Sequence, residues 1–397
     1  MRILWLSRVP WSVGGYSNQT AAFTPRLAAA GHEVGIISAE GSTQGMQQWR
    51  GLPVYPMLLN DLRRTSLVGL HYQDFDADLL IGLHDAGRVL DGPSLLKRFP
   101  KVEWALWFPI DGPEIQAKAL RHLKSVSYPL SISRYGERIA GEHGIEARYI
   151  PHGVATGVFQ PLPRAEARRR VGWSPDLFVA GMVAANDGTR KAFPQHIEGF
   201  ALFHREHPDS FLYLHTEEVA IRGLDLSSLC TRLDLRIGKD VVFCDPYEYF
   251  LGKTEAQMAE LYSAMDVHML ITKGEGFGLP ILEAQSCGTP VIVGDWSAMA
   301  ELCFAGWKVG LDESREVEWK WRTADPAAIA DRLAEAYRAS RDPERAGELR
   351  HRARAGAMEY DADKVVADYW VPVLDDIANR QAASAAPSRA TALVEGR

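Results

Sequence analysis

KGEGFGLPILEAQSCGTPVIVGD, residues 273–295, places a glycine-rich turn, a helical pattern and a strand pattern in close succession. Pro280 suits the first turn of a helix and Gly288 suits its end, so the spacing predicts a helix over ILEAQSC. The backbone N–H groups just ahead of this helix lie at the positive end of its dipole. That position predicts an anion site, suited to a phosphate, formed by Gly276, Phe277, Gly278 and Leu279.

Two glutamates, Glu275 and Glu283, stand eight residues apart around this turn. Glu275 lies in the loop and Glu283 about one turn into the helix, so both carboxylates can reach one cleft. Ionised carboxylates only accept hydrogen bonds, and two of them would repel a bare phosphate. A ligand with phosphates for the N–H groups and hydroxyls for the carboxylates resolves the conflict. The stretch therefore predicts a nucleoside diphosphate sugar as ligand.

Length and composition set the general class of protein. At 397 residues and 46% hydrophobic content, the chain predicts two domains. Its net charge of -7 argues against nucleic acid as a partner. The first residues lack the apolar core of a signal peptide, and no stretch approaches the roughly 20 apolar residues of a membrane span. These features predict a cytoplasmic protein. Its four cysteines show no metal-ligand or disulfide spacing, which predicts buried free thiols.

Aliphatic runs alternate with amphipathic helical runs twice along the chain, which indicates α/β domains with parallel sheets. The strand patterns of the first half are RILWLS, HEVGIIS, ADLLIGLH, EWALWF, YPLSIS and ARYIP, and those of the second half are FVAGMVA, SFLYLHT, DVVFC, VHMLI and PVIVGD. A proline-rich and arginine-rich linker, residues 153–176, lies between the halves. We predict an N-terminal domain over residues 1–160, a C-terminal domain over 161–357, a helical segment over 358–380, with its helix ending at Pro372, and a disordered tail over 381–397.

The combination of GEGFGLPILEA with CGTPVI resembles the donor-site signature of the retaining GT-B glycosyltransferases of family GT4. Further matching segments are the glycine pair after the first strand, WFPIDGP, YIPHGV with its F-x-P, Arg190 and Lys191, and ELYSAMDV. The resemblance implies two Rossmann-like doubly wound domains that face a cleft. It also implies that the donor binds mainly to the C-terminal domain, the acceptor to the N-terminal domain, and that the C-terminal helical segment packs back on the N-terminal domain.

The resemblance also implies roles for individual residues. Glu283 would bind the donor ribose and Glu275 the hydroxyls of the donor sugar. Lys191 would neutralise the diphosphate, helped by the N–H groups of Gly15 and of Gly276 to Leu279. Asp111 falls where the family places a His or Asp that contacts the acceptor.

Charge considerations suggest how such a site would act. Breaking the sugar–phosphate bond builds negative charge on the diphosphate, which Lys191, Arg190 and the helix end could stabilise without a metal. The family resemblance implies that the acceptor hydroxyl attacks the donor sugar on the same face that the phosphate leaves, with retention of the anomeric configuration. We expect no cofactor besides the donor. The acceptor, a glycan, a lipid or another hydroxyl compound, and the oligomeric state are left open.

Simpler structural roles stand beside several of these assignments. Asp111 could cap a helix that begins near Pro113, Gly14 and Gly15 could form a plain turn, and Arg190 with Lys191 could be an exposed pair. His84 and His152 are expected to pack rather than bind a metal.

Two charged motifs leave other binding modes to consider. DFDAD, residues 74–78, carries the D-x-D of metal-dependent transferases but precedes a strand, which favours a turn role. Two groups of arginines favour solvated helix faces and leave peripheral contact with a membrane open. One is Arg164 with the arginines at 168–170, and the other is Arg63 and Arg64 beside Leu62 and Leu67.

Two departures from the family pattern keep other functions open. Ala185 and Asn186 stand where an arginine is expected, and Ala155 replaces an acidic residue. The alternatives are a catalytically weak homologue that binds a nucleotide beside another transferase, and a sugar-nucleotide epimerase of the same architecture. Turnover of the donor with and without acceptor separates the three.

Overall fold

The aliphatic runs of the first half form one eight-stranded sheet. The computed structural model describes residues 1–40, 45–57, 64–313 and 321–385. The strand order is β3-β4-β2-β1-β5-β6-β7-β8, and every pair is parallel except β3 with β4. The strands are β1 (Arg2–Ser7), β2 (Glu33–Ser38), β3 (Gln47–Trp49), β4 (Leu52–Tyr55), β5 (Leu79–Leu83), β6 (Trp104–Phe108), β7 (Tyr128–Ser131) and β8 (Arg148–Tyr149).

The second half forms a six-stranded, wholly parallel sheet in the order β11-β10-β9-β12-β13-β14. Its strand order is that of doubly wound folds, in which ligands bind beyond the carboxyl ends of the strands. The strands are β9 (Phe178–Val183), β10 (Ser210–His215), β11 (Val241–Phe243), β12 (Val267–Leu270), β13 (Val291–Gly294) and β14 (Gly306–Val309), and a separate small pair is β15 (Asp312–Glu313) with β16 (Arg322–Thr323).

Helices cover both sheets, and this accounts for the continuous apolar character of the strands. In β1, alternate side chains enter different cores: Ile3 and Trp5 lie in one, Leu4 and Leu6 in the other. The helices of the first half are α1 (Gly15–Ala29), α2 (Arg64–Asp74), α3 (Gly92–Arg98), α4 (Ala117–Leu123) and α5 (Arg134–Glu142). Those that follow are α6 (Arg164–Val171), α7 (Phe193–Glu206), α8 (Leu226–Arg232), α9 (Pro246–Leu251), α10 (Glu255–Ala264), α11 (Leu279–Ser286), α12 (Ser297–Glu301), α13 (Pro326–Ser340), α14 (Pro343–Met358), α15 (Ala362–Val365) and α16 (Val371–Ala385). The predicted fold class, two Rossmann-like domains, is confirmed.

The C-terminal segment packs against the first sheet. Trp370 is fully buried, and its ring lies 5.7 Å from that of Trp5 and 5.0 Å from that of Trp107. The predicted helix end at Pro372 is wrong, because α16 begins at Val371 after a π-helical turn over Val366–Trp370. Pro372 then occupies the first turn of α16, where a missing N–H costs no hydrogen bond. The helix continues to Ala385, and the remaining tail residues, 386–397, lie outside the described residues.

The linker between the halves is more structured than its composition suggests. Arg168 on α6 is 1% exposed and donates to Asp266 at 2.6 Å and to the carbonyl of Ala264 at 3.0 Å. Arg164 pairs with the same carboxylate. The predicted solvated face is therefore wrong for Arg168, whereas Arg164 keeps 40% of its side chain exposed. A buried carboxylate after α10 requires a cationic partner.

The other segment considered for membrane contact, residues 62–67, belongs only partly to the described residues. Arg64 donates to the carbonyl of Ala39 and to the sulfur of Met57, while Leu62 and Arg63 lie outside the described residues. Across the described ranges, we find no helix with the length and apolar content that crossing a membrane requires. All four cysteines are free thiols, and Cys303 alone among them is partly exposed.

Candidate active site

Four charged side chains meet where the carboxyl ends of the two sheets face each other. The Nζ of Lys191 lies 2.5 Å from Oε1 of Glu275, and a guanidinium nitrogen of Arg190 lies 3.2 Å from Oε2. The same guanidinium nitrogen lies 4.0 Å from Oδ2 of Asp111, which belongs to the other domain. Arg190 thus links the carboxylate after β6 with the one after β12.

A buried histidine holds the loop that carries Lys191. Ala192, the residue that precedes α7, has a left-handed backbone with φ of 52°, a strained conformation for a residue with a Cβ. His196 donates from Nδ1 to the carbonyl of Ala192 at 2.8 Å, and its Nε2 accepts from the N–H of Ile271 at 2.9 Å. Burial lowers the pKa of His196 to about 4, so the ring is neutral near pH 7. His196 therefore ties the loop after β9 to the end of β12, four residues before Glu275.

Glu275 is held from its backbone as well as from its carboxylate. Its N–H donates to the hydroxyl of Ser297 at 3.0 Å, and Ser297 itself has a left-handed φ of 51°. Burial opposes ionisation of the carboxyl group, but Lys191 and Arg190 outweigh it and bring the pKa of Glu275 to about 2. The carboxylate is therefore ionised across the physiological range.

Glycines allow the two domains to approach closely at this point. A Cβ on Gly274 would lie 2.1 Å from the carbonyl oxygen of Asp111, and one on Gly276 would lie 2.4 Å from Cβ of Pro109. On the other side, a Cβ on Gly15 would lie 3.4 Å from a methyl group of Leu279. Gly15 and the start of α11 are therefore neighbours across the cleft.

The predicted anion site lies at the start of α11. This helix covers Leu279–Ser286, Pro280 lies in its first turn, and Gly278 precedes it with φ of 107°. The first N–H groups of a helix have no carbonyl partner within the helix, so this end can hold an anion. Phe277, in the same loop, packs its ring 5.0 Å from that of His152.

Glu283 lies one turn into α11 and is buried, like Glu275. Its side chain accepts from the hydroxyl of Tyr262 on α10 at 2.8 Å, and the residue is 9% exposed. Burial raises the pKa of Glu283 to about 7, even though the hydrogen bond from Tyr262 lowers it. Glu275 and Glu283 thus differ sharply in charge state, although the sequence presents them as an equivalent pair.

Asp111 does not cap a helix, and that structural alternative is wrong. The helix after it begins at Ala117, with Gln116 as the preceding residue, because the chain from Asp111 first passes against Gly274. The side chain of Asp111 is half exposed to the cleft. Desolvation and the nearby carboxylate of Glu275 raise its pKa, while Arg190 opposes them.

Sequence reasoning missed a second polar pair beside Asp111. The hydroxyl of Tyr16, in the first turn of α1, donates to Asp85 at 2.8 Å. Asp85 follows β5 and keeps 43% of its side chain exposed. Its position after a buried strand was the signal that could have identified it.

Comparison with known proteins finds a family that part of this chain resembles. Residues 235–339 match the family described as Glycosyl transferases group 1. A curated relative, D-inositol 3-phosphate glycosyltransferase of Thermobispora bispora, is 30% identical over 209 residues, which cover 51% of this chain and 46% of the relative. The chain thus spans about half the length of the curated relatives it matches. Over residues 235–339 the chain is similar to the group 1 glycosyltransferases.

Solved structures with the same fold cover nearly the whole chain. Sucrose-phosphate synthase from Thermosynechococcus elongatus superposes with a TM-score of 0.74 at 18% identity, over 97% of this chain and 100% of that one. Anabaena HepE in complex with UDP-glucose gives 0.68 at 17% identity, over 96% and 100%. The fold of this chain is therefore GT-B.

The two departures from the family pattern have structural roles. Asn186 donates from its amide to the carbonyls of Glu217 and Leu224, and accepts from the N–H of Leu224 at 2.9 Å. It therefore fixes the loop after β10. The carbonyl of Ala155 accepts from the N–H groups of Val158 and Phe159, and so begins a turn.

The aspartates of DFDAD serve local structure in this protein. Asp74 accepts from the hydroxyl of Tyr55 at 3.1 Å, and Asp78 accepts from the N–H of Arg2 at 2.7 Å. Within the described part of the chain, no group of three or more His, Cys, Asp or Glu side chains is arranged to hold a metal ion.

Proposed function

We propose that this protein transfers a sugar from a nucleoside diphosphate sugar to an acceptor hydroxyl, with retention of the anomeric configuration. The observation that carries the proposal is the cluster of Lys191, Arg190 and Glu275 beside the start of α11, opposite Asp111 across the cleft. Cations and helix N–H groups suit a diphosphate, and carboxylates on both sides suit sugar hydroxyls.

The proposed reaction follows from where charge develops. The bond from the anomeric carbon to the diphosphate breaks, and negative charge collects on the departing oxygen. Lys191, Arg190 and the end of α11 stabilise that charge. The acceptor hydroxyl attacks the same face, a bond forms from its oxygen to the anomeric carbon, and its proton passes to the departing phosphate oxygen.

We also propose that transfer requires no divalent metal. Two cationic side chains already stand at the place proposed for the diphosphate, where a metal ion would otherwise neutralise charge. Full activity in EDTA is the expected result.

Acceptor identity is the most open part of the proposal. The curated relative acts on D-inositol 3-phosphate according to its name, so inositol phosphates belong in any acceptor panel. Simple glycosides and lipid-linked hydroxyl compounds complete the panel.

Donor binding provides the direct test of the proposed function. A ligand that binds only the folded state stabilises it by about 2.7 kcal/mol at 100 times its dissociation constant. We expect one series among UDP-, GDP- and ADP-sugars to raise the melting temperature, and to release nucleoside diphosphate in proportion to glycosylated acceptor. Conversion of the sugar nucleotide without acceptor would indicate an epimerase, and stabilisation without turnover a binding homologue.

The two glutamates are expected to affect different steps. Glu283→Ala should weaken donor binding by about 1–3 kcal/mol, because the ribose hydroxyls lose a buried acceptor. Glu275→Gln should mainly lower the turnover number, because Lys191 and Arg190 lose the carboxylate that orients them. Calorimetric titration with the nucleoside diphosphate and steady-state kinetics separate the two effects.

Glu260→Ala is the matched control for these variants. Glu260 also lies on the C-terminal domain, but its carboxylate pairs with Arg170 at 2.7 Å on the outer surface. Wild-type binding and kinetics in both the Glu275 and Glu283 variants would contradict the site assignment.

A further inference from the structure

The buried hydroxyl of Tyr262 is the hydrogen-bond donor that the structure supplies to Glu283. It lies 2.8 Å from Oε2, and Tyr262 itself is fully buried. The bond joins two helices, α10 and α11, across 21 residues of sequence. The hydrogen bond therefore orients the carboxyl group of Glu283 from a different helix.

Packing leaves the phenol ring of Tyr262 little freedom. Its centroid lies 6.3 Å from that of Phe159 and 5.6 Å from that of His268. Its backbone carbonyl accepts from the hydroxyl of Thr289 at 2.7 Å, which fixes the last turn of α10 against the segment that leads into β13. A rigid donor on one carboxylate oxygen leaves the other oxygen, Oε1, in a defined position.

We propose that Tyr262 is a positioning residue that holds Glu283 so that its second oxygen receives the ribose hydroxyls of the nucleoside diphosphate. The inference rests on the proposed function only for the identity of the ligand. Tyr262 acts through Glu283 and does not itself contact the reacting atoms.

The same hydrogen bond couples donor binding to pH. The ionisable groups that act on Glu283 are Tyr262 and Glu255 on α10, and the thiol of Cys287, the residue after α11, lies nearby. Burial raises the pKa of Glu283 to about 7, the hydroxyl of Tyr262 lowers it, and Glu255 raises it. The ionised carboxylate is the better acceptor for two hydroxyls. Nucleotide affinity should therefore be highest well above pH 7, where Glu283 is ionised, and fall as the pH decreases through about 7.

Tyr262→Phe tests the inference with little change in shape. We expect the dissociation constant for the nucleoside diphosphate to rise about tenfold, the effect of losing one hydrogen bond to a charged group. The turnover number at saturating donor should remain near wild type. The midpoint of the affinity profile against pH should move upward, because the ionised form of Glu283 loses its donor.

Tyr337→Phe is the matched control. Tyr337 also donates to a carboxylate at 2.8 Å, that of Asp209, but on α13 away from the cleft. It should leave affinity and the pH midpoint unchanged. On a Glu283→Gln background, Tyr262→Phe should have a much smaller effect than on the wild type, because the carboxylate through which it acts is gone.

The probes are UDP, GDP and ADP, each titrated into the whole protein by calorimetry between pH 5.5 and 8.5. If the wild type binds one of them and Tyr262→Phe changes neither its affinity nor its pH midpoint, the positioning role is wrong and the proposed function stands. Equal losses in the Glu283→Gln and wild-type backgrounds would also overturn it. If the wild type binds none, the proposed function fails together with it.

Discussion

Lys191→Ala is expected to lower the turnover number by about 100- to 1,000-fold, the range found when a fixed group that stabilises transition-state charge is removed. The ammonium group lies 2.5 Å from Glu275 and is mostly buried, so water cannot replace its charge effectively. Removal also leaves Glu275 with Arg190 as its remaining ion-pair partner. Donor affinity should fall less than the turnover number, since charge on the diphosphate is greatest as the bond breaks.

Lys308→Ala is the matched control, because Lys308 also forms an ion pair, with Asp295 at 3.2 Å, but on the outer strand β14. It should retain wild-type turnover. The measurement is nucleoside diphosphate release with and without EDTA. A wild-type rate in Lys191→Ala would refute the role of the lysine. Loss of wild-type activity in EDTA, with recovery in Mn²⁺ or Mg²⁺, would refute metal independence.

The strands were predictable because their signal is local. A buried parallel strand is apolar on both faces, so runs such as RILWLS and PVIVGD stand out without any knowledge of their neighbours. The strand–turn–helix order around Pro280 was predictable for the same reason. By contrast, β3 and β4 form an antiparallel pair of only three and four residues, β3 is partly exposed, and their patterns are too short to detect.

Pairings between distant residues could not be read from the sequence. Arg168 lies in an arginine-rich helix that suggests a solvated face, and only the fold brings it to Asp266, 98 residues away. Similarly, Lys191 and Glu275 were each predicted in the site, but their direct ion pair depends on how β9 and β12 lie side by side. The opposite charge behaviour of Glu275 and Glu283 follows from those tertiary neighbours, and spacing alone carries no information about it.

Asp111→Asn is expected to lower acceptor turnover by about 100-fold, the cost of misplacing a reacting group by about 1 Å. Donor affinity should remain near wild type, because Asp111 belongs to the N-terminal domain and faces the donor loops from across the cleft. The structure sharpens this prediction, since Asp111 does not cap α4 and neither Asn nor Ala should lower the melting temperature through a lost cap.

The dependence of the rate on pH separates an orienting carboxylate from a merely structural one. Desolvation raises the pKa of Asp111. Activity that needs its ionised form should therefore fall as the pH decreases, and this acidic limb of the pH–rate profile should lie above the usual pKa range of aspartate. In Asp111→Asn that limb should disappear while a lower rate persists. Asp325→Asn is the control, since Asp325 accepts from the N–H of Ala327 at the start of α13 and should leave the profile unchanged. If Asp111→Asn retains both the wild-type rate and the acidic limb, Asp111 has no part in orienting the acceptor, and Asp85, which accepts from Tyr16 in the same domain, must be examined in its place.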